Sequence, residues 1–249
     1  MTNVIICGVN GAMGKNLIEL ISEDPSLEIT AGIDHSPREG EFPQYGAFSE
    51  SVTGDIIIDF SHFSMIGNLL DYVEKTKTPA VICTTGLSKE IEERIEKISA
   101  QVPLFKSGNM SLGINLLIAL AKKGAEVLGE NFDIEVVEMH HNRKIDAPSG
   151  TAYMIAEEIN DSLDNRKEYN YGRYGNDSKR QDKEIGIHAL RGGTVVGEHT
   201  VVFAGTDEMV RLEHRATSKK VFAQGAIKAA KYLLTKEAGF YNMNDMLLD

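Results

Sequence analysis

The sequence predicts an α/β chain: a doubly wound parallel sheet, then a smaller inserted α+β domain, then a closing helix. Three observations carry that expectation. Short, continuous apolar runs alternate with helix-period segments as far as residue 105. A glycine loop joins the first strand to the first helix. After residue 112 the texture changes to a long helix followed by clustered strands.

Val4-Ile5-Ile6-Cys7 opens the series as a strand, and Leu17, Ile18, Leu20 and Ile21 follow at helical spacing. Residues 27–33, 55–60, 80–83 and 102–105 are further strand-like runs, separated by helical patterns at 65–74 and 89–100. Strands that are apolar throughout, not alternating, belong to a parallel sheet covered on both faces. Beyond them the pattern predicts a helix at 114–128, a strand at 133–139 and a helix at 151–163. Residues 164–184 are polar with little apolar period and are expected to form a long exposed loop. The runs at 185–191, 198–204 and 209–217 read as an antiparallel set turning at Gly192-Gly193 and Gly205-Thr206-Asp207. A final helix spans 220–234. The expected division is a dinucleotide-binding domain over 1–111, completed by 220–249, and a second domain over 112–219.

Composition narrows the function. Apolar content of 42% and charged content of 25% are those of a globular protein. A formal charge of −11 argues against nucleic-acid or anionic-membrane binding, leaving a small anionic ligand held by a local cluster of cations. Cys7 and Cys83, both in strand-like runs, make neither a disulfide framework nor a zinc spacing. With no membrane-length apolar run and no basic leader, a cytoplasmic location is expected.

Gly8-Val9-Asn10-Gly11-Ala12-Met13-Gly14 follows the first strand and opens the first helix. Glycines there let the backbone turn sharply and approach a pyrophosphate seated on the helix N-terminus. A tight turn alone would use the same residues. Asp34, closing the second strand, tips the reading toward a Rossmann-like dinucleotide site, because a carboxylate there accepts hydrogen bonds from the adenine ribose. His35 and Arg38 could approach a 2′-phosphate while Asp34 repels one, so NADH and NADPH both stay open. Asp59-Phe60-Ser61-His62, Cys83-Thr84-Thr85-Gly86 and Ser107-Gly108-Asn109-Met110 stand at other strand ends, where ligands bind in such sheets.

The cationic cluster lies in EMHHNRKIDAPSGTA, residues 138–152. His140, His141, Arg143 and Lys144 stand together without an intervening acid. Crowded cations release protons more readily, which suits His140 and Lys144 to proton transfer. Ser149 is a candidate helix cap, with the amides of Gly150 and Thr151 beside it, an arrangement that attracts carboxylates. Adjacent histidines without a carboxylate at ligand spacing predict no metal site. The chemistry suggested is hydride transfer to a small dianionic substrate.

That segment resembles the E-x-H-H-x-x-K-x-D-A-P-S-G-T-A signature of the 4-hydroxy-tetrahydrodipicolinate reductase (dihydrodipicolinate reductase) family. The resemblance extends through GVNGAMG, DFSH, TTG, GNMSLGINLL, VVGEHTVVFAG, RLEHRATSK and GFYNMNDML, almost the whole chain. It implies NADH- or NADPH-dependent reduction of dehydrated 4-hydroxy-tetrahydrodipicolinate in the diaminopimelate route to lysine. It also implies proton-transfer roles for His140 and Lys144, and substrate contacts from His141, Ser149, Gly150 and Thr151. Cofactor contacts would come from Gly8, Val9, Asn10, Gly11, Ala12, Met13, Asp34, Cys83, Thr84, Thr85, Ser107, Gly108, Asn109 and Met110. The second domain would bind substrate and build a homotetramer through its sheet. Closure of the two domains about a hinge would exclude water.

The chain departs from the family pattern in three places. His35 stands where members favouring NADPH often have Arg, and Ser61-His62-Phe63 lacks the Arg and Pro of the usual D-F-T-R-P. Both changes tilt the expectation toward NADH. Cys83 replaces a frequent Gly, without an evident reason. The competing reading is another two-domain NAD(P)-dependent dehydrogenase of a small anionic substrate; a nucleotide sensor without catalysis would have no use for His140 and Lys144.

Overall fold

A computed structural model of the chain describes residues 1–129 and 131–248. The elements run β1 (Thr2–Cys7), α1 (Ala12–Ser22), β2 (Leu27–Ile33), β3 (Gln44–Tyr45), β4 (Ile56–Asp59), a 3-10 turn (Phe63–Met65), α2 (Ile66–Thr76), β5 (Ala80–Ile82), α3 (Lys89–Ser99) and β6 (Pro103–Lys106). Next come α4 (Leu112–Leu128), β7 (Asp133–His140), α5 (Gly150–Asp161), β8 (Glu168–Asn170), β9 (Glu184–Arg191), β10 (Gly197–Ala204) and β11 (Met209–Ala216). The chain ends with α6 (Lys220–Leu233), β12 (Gly239–Tyr241) and α7 (Met243–Leu248). It divides into two compact units, Met1–Leu112 with Lys219–Asp249, and Gly113–Ser218.

The first unit is built on a seven-stranded sheet, β12-β6-β5-β4-β1-β2-β3, in which every pair is parallel. This is the doubly wound α/β arrangement the sequence predicts. Successive residues of a strand face opposite layers, and here both layers are apolar. Ile5 and Ile57 pack with Leu69, Leu70, Ile95 and Ile98 of α2 and α3. Val4, Ile6, Ile56 and Ile58 pack with Leu17 and Ile21 of α1 and with Ala226, Ala229 and Leu233 of α6. Two-sided burial is why these strands read as unbroken apolar runs. From β1 the strand order proceeds to β2 on one side and β4 on the other, which opens a crevice at the carboxyl ends of β1 and β4.

The second unit has a mixed five-stranded sheet, β11-β10-β7-β9-β8, with helices α4 and α5 on one face. Its core joins Ile114, Leu117, Ile118, Ile155 and Ile159 of the helices to Ile134, Val136, Ile187, Val201 and Phe203 of the strands. One expectation is corrected here. β9, β10 and β11 do not form a consecutive antiparallel set: β7 lies between β9 and β10, parallel to the first and antiparallel to the second. Helix α5 supplies the crossover that a parallel β7–β9 pair requires, so β9 is already placed when the chain turns toward β10.

The polar segment 164–184 also differs from a long exposed loop. Residues Glu168–Asn170 form the edge strand β8 beside β9. Past it, Arg173 and Arg180 fold back onto Glu135 of β7, with nitrogen–oxygen distances of 3.0 and 3.2 Å, and His188 Nε2 meets the same carboxylate at 2.6 Å. Ionic contacts replace the apolar period that the segment lacks.

Candidate active site

In the first unit, the loop after β1 lies at the crevice. Gly8 has φ +80° and bonds through its N–H to Ile33 O at 2.8 Å, which joins the carboxyl ends of β1 and β2. A Cβ on Gly8 would stand 2.5 Å from Phe60 O, and one on Gly14 would collide with the carbonyls of Gly8 and Val9. The loop can follow this path only with glycine at those positions. Gly11 caps α1 without a side-chain hydrogen bond, so the first turn of the helix keeps its positive dipole end clear of any side-chain acceptor.

Asp34 stands beside that turn. Its Oδ2 accepts from Asn10 N at 3.0 Å and its Oδ1 from Ser36 N at 3.1 Å, fixing the carboxylate while leaving lone pairs for hydroxyls. Asn10 Nδ2 donates to Ser36 O and Gln44 Oε1, which ties the glycine loop to the segment after β2. His35 is turned to Ser64, with Nε2 at 3.1 Å from its Oγ, and the Nδ1 of His62 meets the same hydroxyl at 2.9 Å. These features fit a dinucleotide: a glycine cradle and helix end for the pyrophosphate and a held carboxylate for the ribose.

Asp59, read from the sequence only as part of a strand end, braces the crevice. Asp59, fully buried at the end of β4, accepts from Ser61 N at 3.0 Å, Ser61 Oγ at 2.6 Å and Thr84 Oγ1 at 2.7 Å. Burial raises its pKa, against the lowering effect of the Ser61 and Thr84 bonds. One carboxyl group thus joins the loops after β4 and β5. Thr84 is buried, whereas Thr85 is exposed. Cys83 sends its N–H to Asp59 O at 2.9 Å. Ser107 and Asn109 form a local turn, with Ser107 Oγ donating to Asn109 O at 2.9 Å, and Met110 is buried.

In the second unit the cationic loop leaves the end of β7. His140 is held by Glu138, whose Oε2 lies 2.6 Å from Nδ1. Glu138 is fully buried and also receives Arg191 on both oxygens at 2.8 Å and Ser149 N at 2.9 Å. Burial alone would raise the Glu138 pKa, but these donors outweigh it and hold the carboxyl below the usual range. Lys144 Nζ stands 2.9 Å from Asp146 Oδ2, and the lysine bond lowers the Asp146 pKa. Ser149 caps α5, its Oγ accepting from Ala152 N at 3.2 Å and lying 3.2 Å from His199 Nε2. His199 and His140 meet edge to face with centroids 5.2 Å apart. Gly150 and Thr151 form the exposed and half-buried first residues of that helix.

His140, Lys144, Ser149, Gly150 and Thr151 therefore belong to one local constellation of β7, its following loop and the start of α5, and His141 follows His140 in the chain. Glu138, Arg191 and His199 complete it and were missed. Their signal is positional: β7 and β10 alternate, and Glu138 and His199 fall on the same inward face as Ile134, Val136, Val201 and Phe203. A charged or polar residue on an apolar face calls for a specific partner. Among the described residues no cluster of His, Cys, Asp and Glu could hold a metal, and no helix is long and apolar enough to cross a membrane.

The family models for the dihydrodipicolinate reductase N-terminus and C-terminus match residues 2–110 and 113–247. A 4-hydroxy-tetrahydrodipicolinate reductase of Caldanaerobacter subterraneus subsp. tengcongensis is 50% identical over 99% of this chain and 98% of that protein. The Clostridium tetani enzyme of the same name is 45% identical over 99% of this chain and 97% of its own. The fold superposes on a dipicolinate-bound dihydrodipicolinate reductase from Paenisporosarcina sp. TG-14 with a TM-score of 0.82, at 21% identity, covering 98% of this chain and 99% of the other. With both halves matched in order and the E-x-H-H-x-x-K segment intact, the chain belongs to the dihydrodipicolinate reductase family.

Proposed function

We propose that this protein reduces the dehydrated form of 4-hydroxy-tetrahydrodipicolinate to tetrahydrodipicolinate, using a nicotinamide dinucleotide, in the diaminopimelate route of lysine biosynthesis. The observation that carries the reading is the constellation around His140: a proton donor, a lysine and a capped helix start gathered in one loop. The relatives at 45–50% identity bear the matching name.

The nicotinamide, when bound, supplies a hydride. The residues of the first unit do the holding. Gly8, Val9, Asn10, Gly11, Ala12 and Met13 would cradle the pyrophosphate, and Asp34 would accept the adenine-ribose hydroxyls. Cys83, Thr84, Thr85, Ser107, Gly108, Asn109 and Met110 would line the remaining strand ends. NADH is favoured over NADPH. Asp34 repels a 2′-phosphate, and no arginine follows it; His35 already bonds to Ser64.

In the second unit, Lys144 and the start of α5 would receive the substrate carboxylates, with His141, Ser149, Gly150 and Thr151 around them. Reduction adds a hydride and a proton, and the proton comes from Lys144 or His140. Lys144 is the more exposed to exchange with water through its loop, while His140 is fixed by Glu138. The second unit also supplies the contacts of a homotetramer, through its open sheet face and the exposed Met209 and Val210 of β11.

Lys144→Ala tests the assignment. It should lower kcat by more than about tenfold while the Kd for NADH stays unchanged. Loss of nucleotide binding in that variant would show the lysine to be structural.

A further inference from the structure

We propose that Glu138, clamped by Arg191, is a positioning residue: it fixes His140 with the proton on Nδ1 and ties the proton donor to the start of the substrate-binding helix. The inference rests on the reductase reading and extends it to a residue that touches neither substrate nor nucleotide.

Glu138 has no exposed surface, and its two oxygens take four donors. Arg191 approaches both oxygens from β9, the geometry of a fork on a carboxylate. Arg191 also donates to the carbonyls of Leu190 and Asp146, each at 2.6 Å, so its own direction is set by backbone. A carboxylate paired in this way is an acceptor only. The ring nitrogen 2.6 Å away must therefore be the donor, which places the proton on Nδ1 and leaves Nε2 to exchange a proton with substrate. The same carboxylate accepts the N–H of Ser149, the N-cap of α5. A shift of Glu138 would displace proton donor and helix start together. His199 of β10 packs on the ring of His140, and a Cβ on Gly197 would stand 3.1 Å from its Nε2; Lys144 pairs with Asp146 in the following loop.

A buried ion pair could serve stability alone, and the test has to separate the two roles. Removing one partner strands a charge, whereas replacing both by apolar residues is often neutral for folding. The test is the Glu138→Leu/Arg191→Met double variant of the full chain, labelled with 15N-histidine. With seven histidines in the chain, long-range 1H–15N spectra resolve each ring, and His140→Gln identifies the signal. The wild-type ring is expected as the Nδ1–H tautomer. In the double variant it should revert to the Nε2–H form that histidine favours in water, and kcat should fall by at least about tenfold with the NADH Kd unchanged. Retention of the Nδ1–H tautomer in the double variant overturns the proposal. So does a changed tautomer with wild-type kcat. If the double variant does not fold, Glu138→Met, in which Arg191 keeps the carbonyls of Leu190 and Asp146 as acceptors, gives the same readouts with the same meanings. The tautomer is read without substrate or nucleotide. A wild type lacking reductase turnover would sink the reaction and leave the positional result to be judged separately.

Discussion

His199 shows at the residue scale how burial sets chemistry here. It is 4% exposed on β10, and its pKa falls from the ordinary 6.5 to about 4, through burial first and the neighbouring His140 second, partly offset by Glu138. The unfolded chain would take up a proton on this ring near pH 6.5, and the folded chain refuses it until about 4. Stability from this group is therefore full above 6.5, declines as pH falls toward 4, and is level below that. The gap corresponds to about 3 kcal/mol at most. His199→Gln keeps a partner for Ser149 and should remove this slope, so that urea midpoints of variant and wild type converge as pH drops from 7 to 4.5. Parallel curves would contradict the account. Glu138 acts in a lower window, because its depressed pKa gives stability present above the ordinary carboxylate range and lost as pH falls through the folded value. Of these residues the sequence made His140, Lys144 and Ser149 legible, since motif and capping chemistry are local. Glu138, Arg191 and His199 meet only when three strands pair, and no local spacing announces that.

Among the elements, those legible in sequence are the ones whose burial is two-sided or strictly periodic. β2 falls on the residues its pattern marks, and α3 and α6 lie within one residue of theirs. β3, β12 and α7 escaped because two, three and six residues carry too little period to read. β9 was given the wrong neighbour because chain order suggested a meander, and only the α5 crossover reveals the parallel pair. The polar segment after β8 is ordered by Arg173 and Arg180 on Glu135; burial would raise the Glu135 pKa, but Arg173 and His188 outweigh it and lower it. Glu135→Gln should release that segment. Limited trypsin digestion should then cut after Arg173 or Arg180 several times faster than in the wild type, with the far-UV spectrum retained. An unchanged cleavage rate would mean that the segment's other anchors, Arg173 on Glu184 and Arg180 on Asp133 with β8 pairing, hold it without Glu135.

Taken whole, the molecule divides its labour between two units with separate cores, and a ligand that binds only the folded state should report this. NADH should raise the Tm of the wild type and of Lys144→Ala equally, but not that of Gly8→Val, whose side chain would meet Phe60 O and strain a left-handed backbone. The tetramer proposal predicts a sedimentation mass about four times the chain's 27.4 kDa, and a mass near one chain would refute it. The central claim is the reaction itself. The measurement that bears on it most directly generates the substrate in place, by condensing pyruvate with aspartate semialdehyde through a separate synthase. It then follows oxidation of NADH and of NADPH by this protein. The account predicts oxidation that requires both the synthase and Lys144, faster with NADH. Nucleotide binding without synthase-dependent oxidation of either would contradict it.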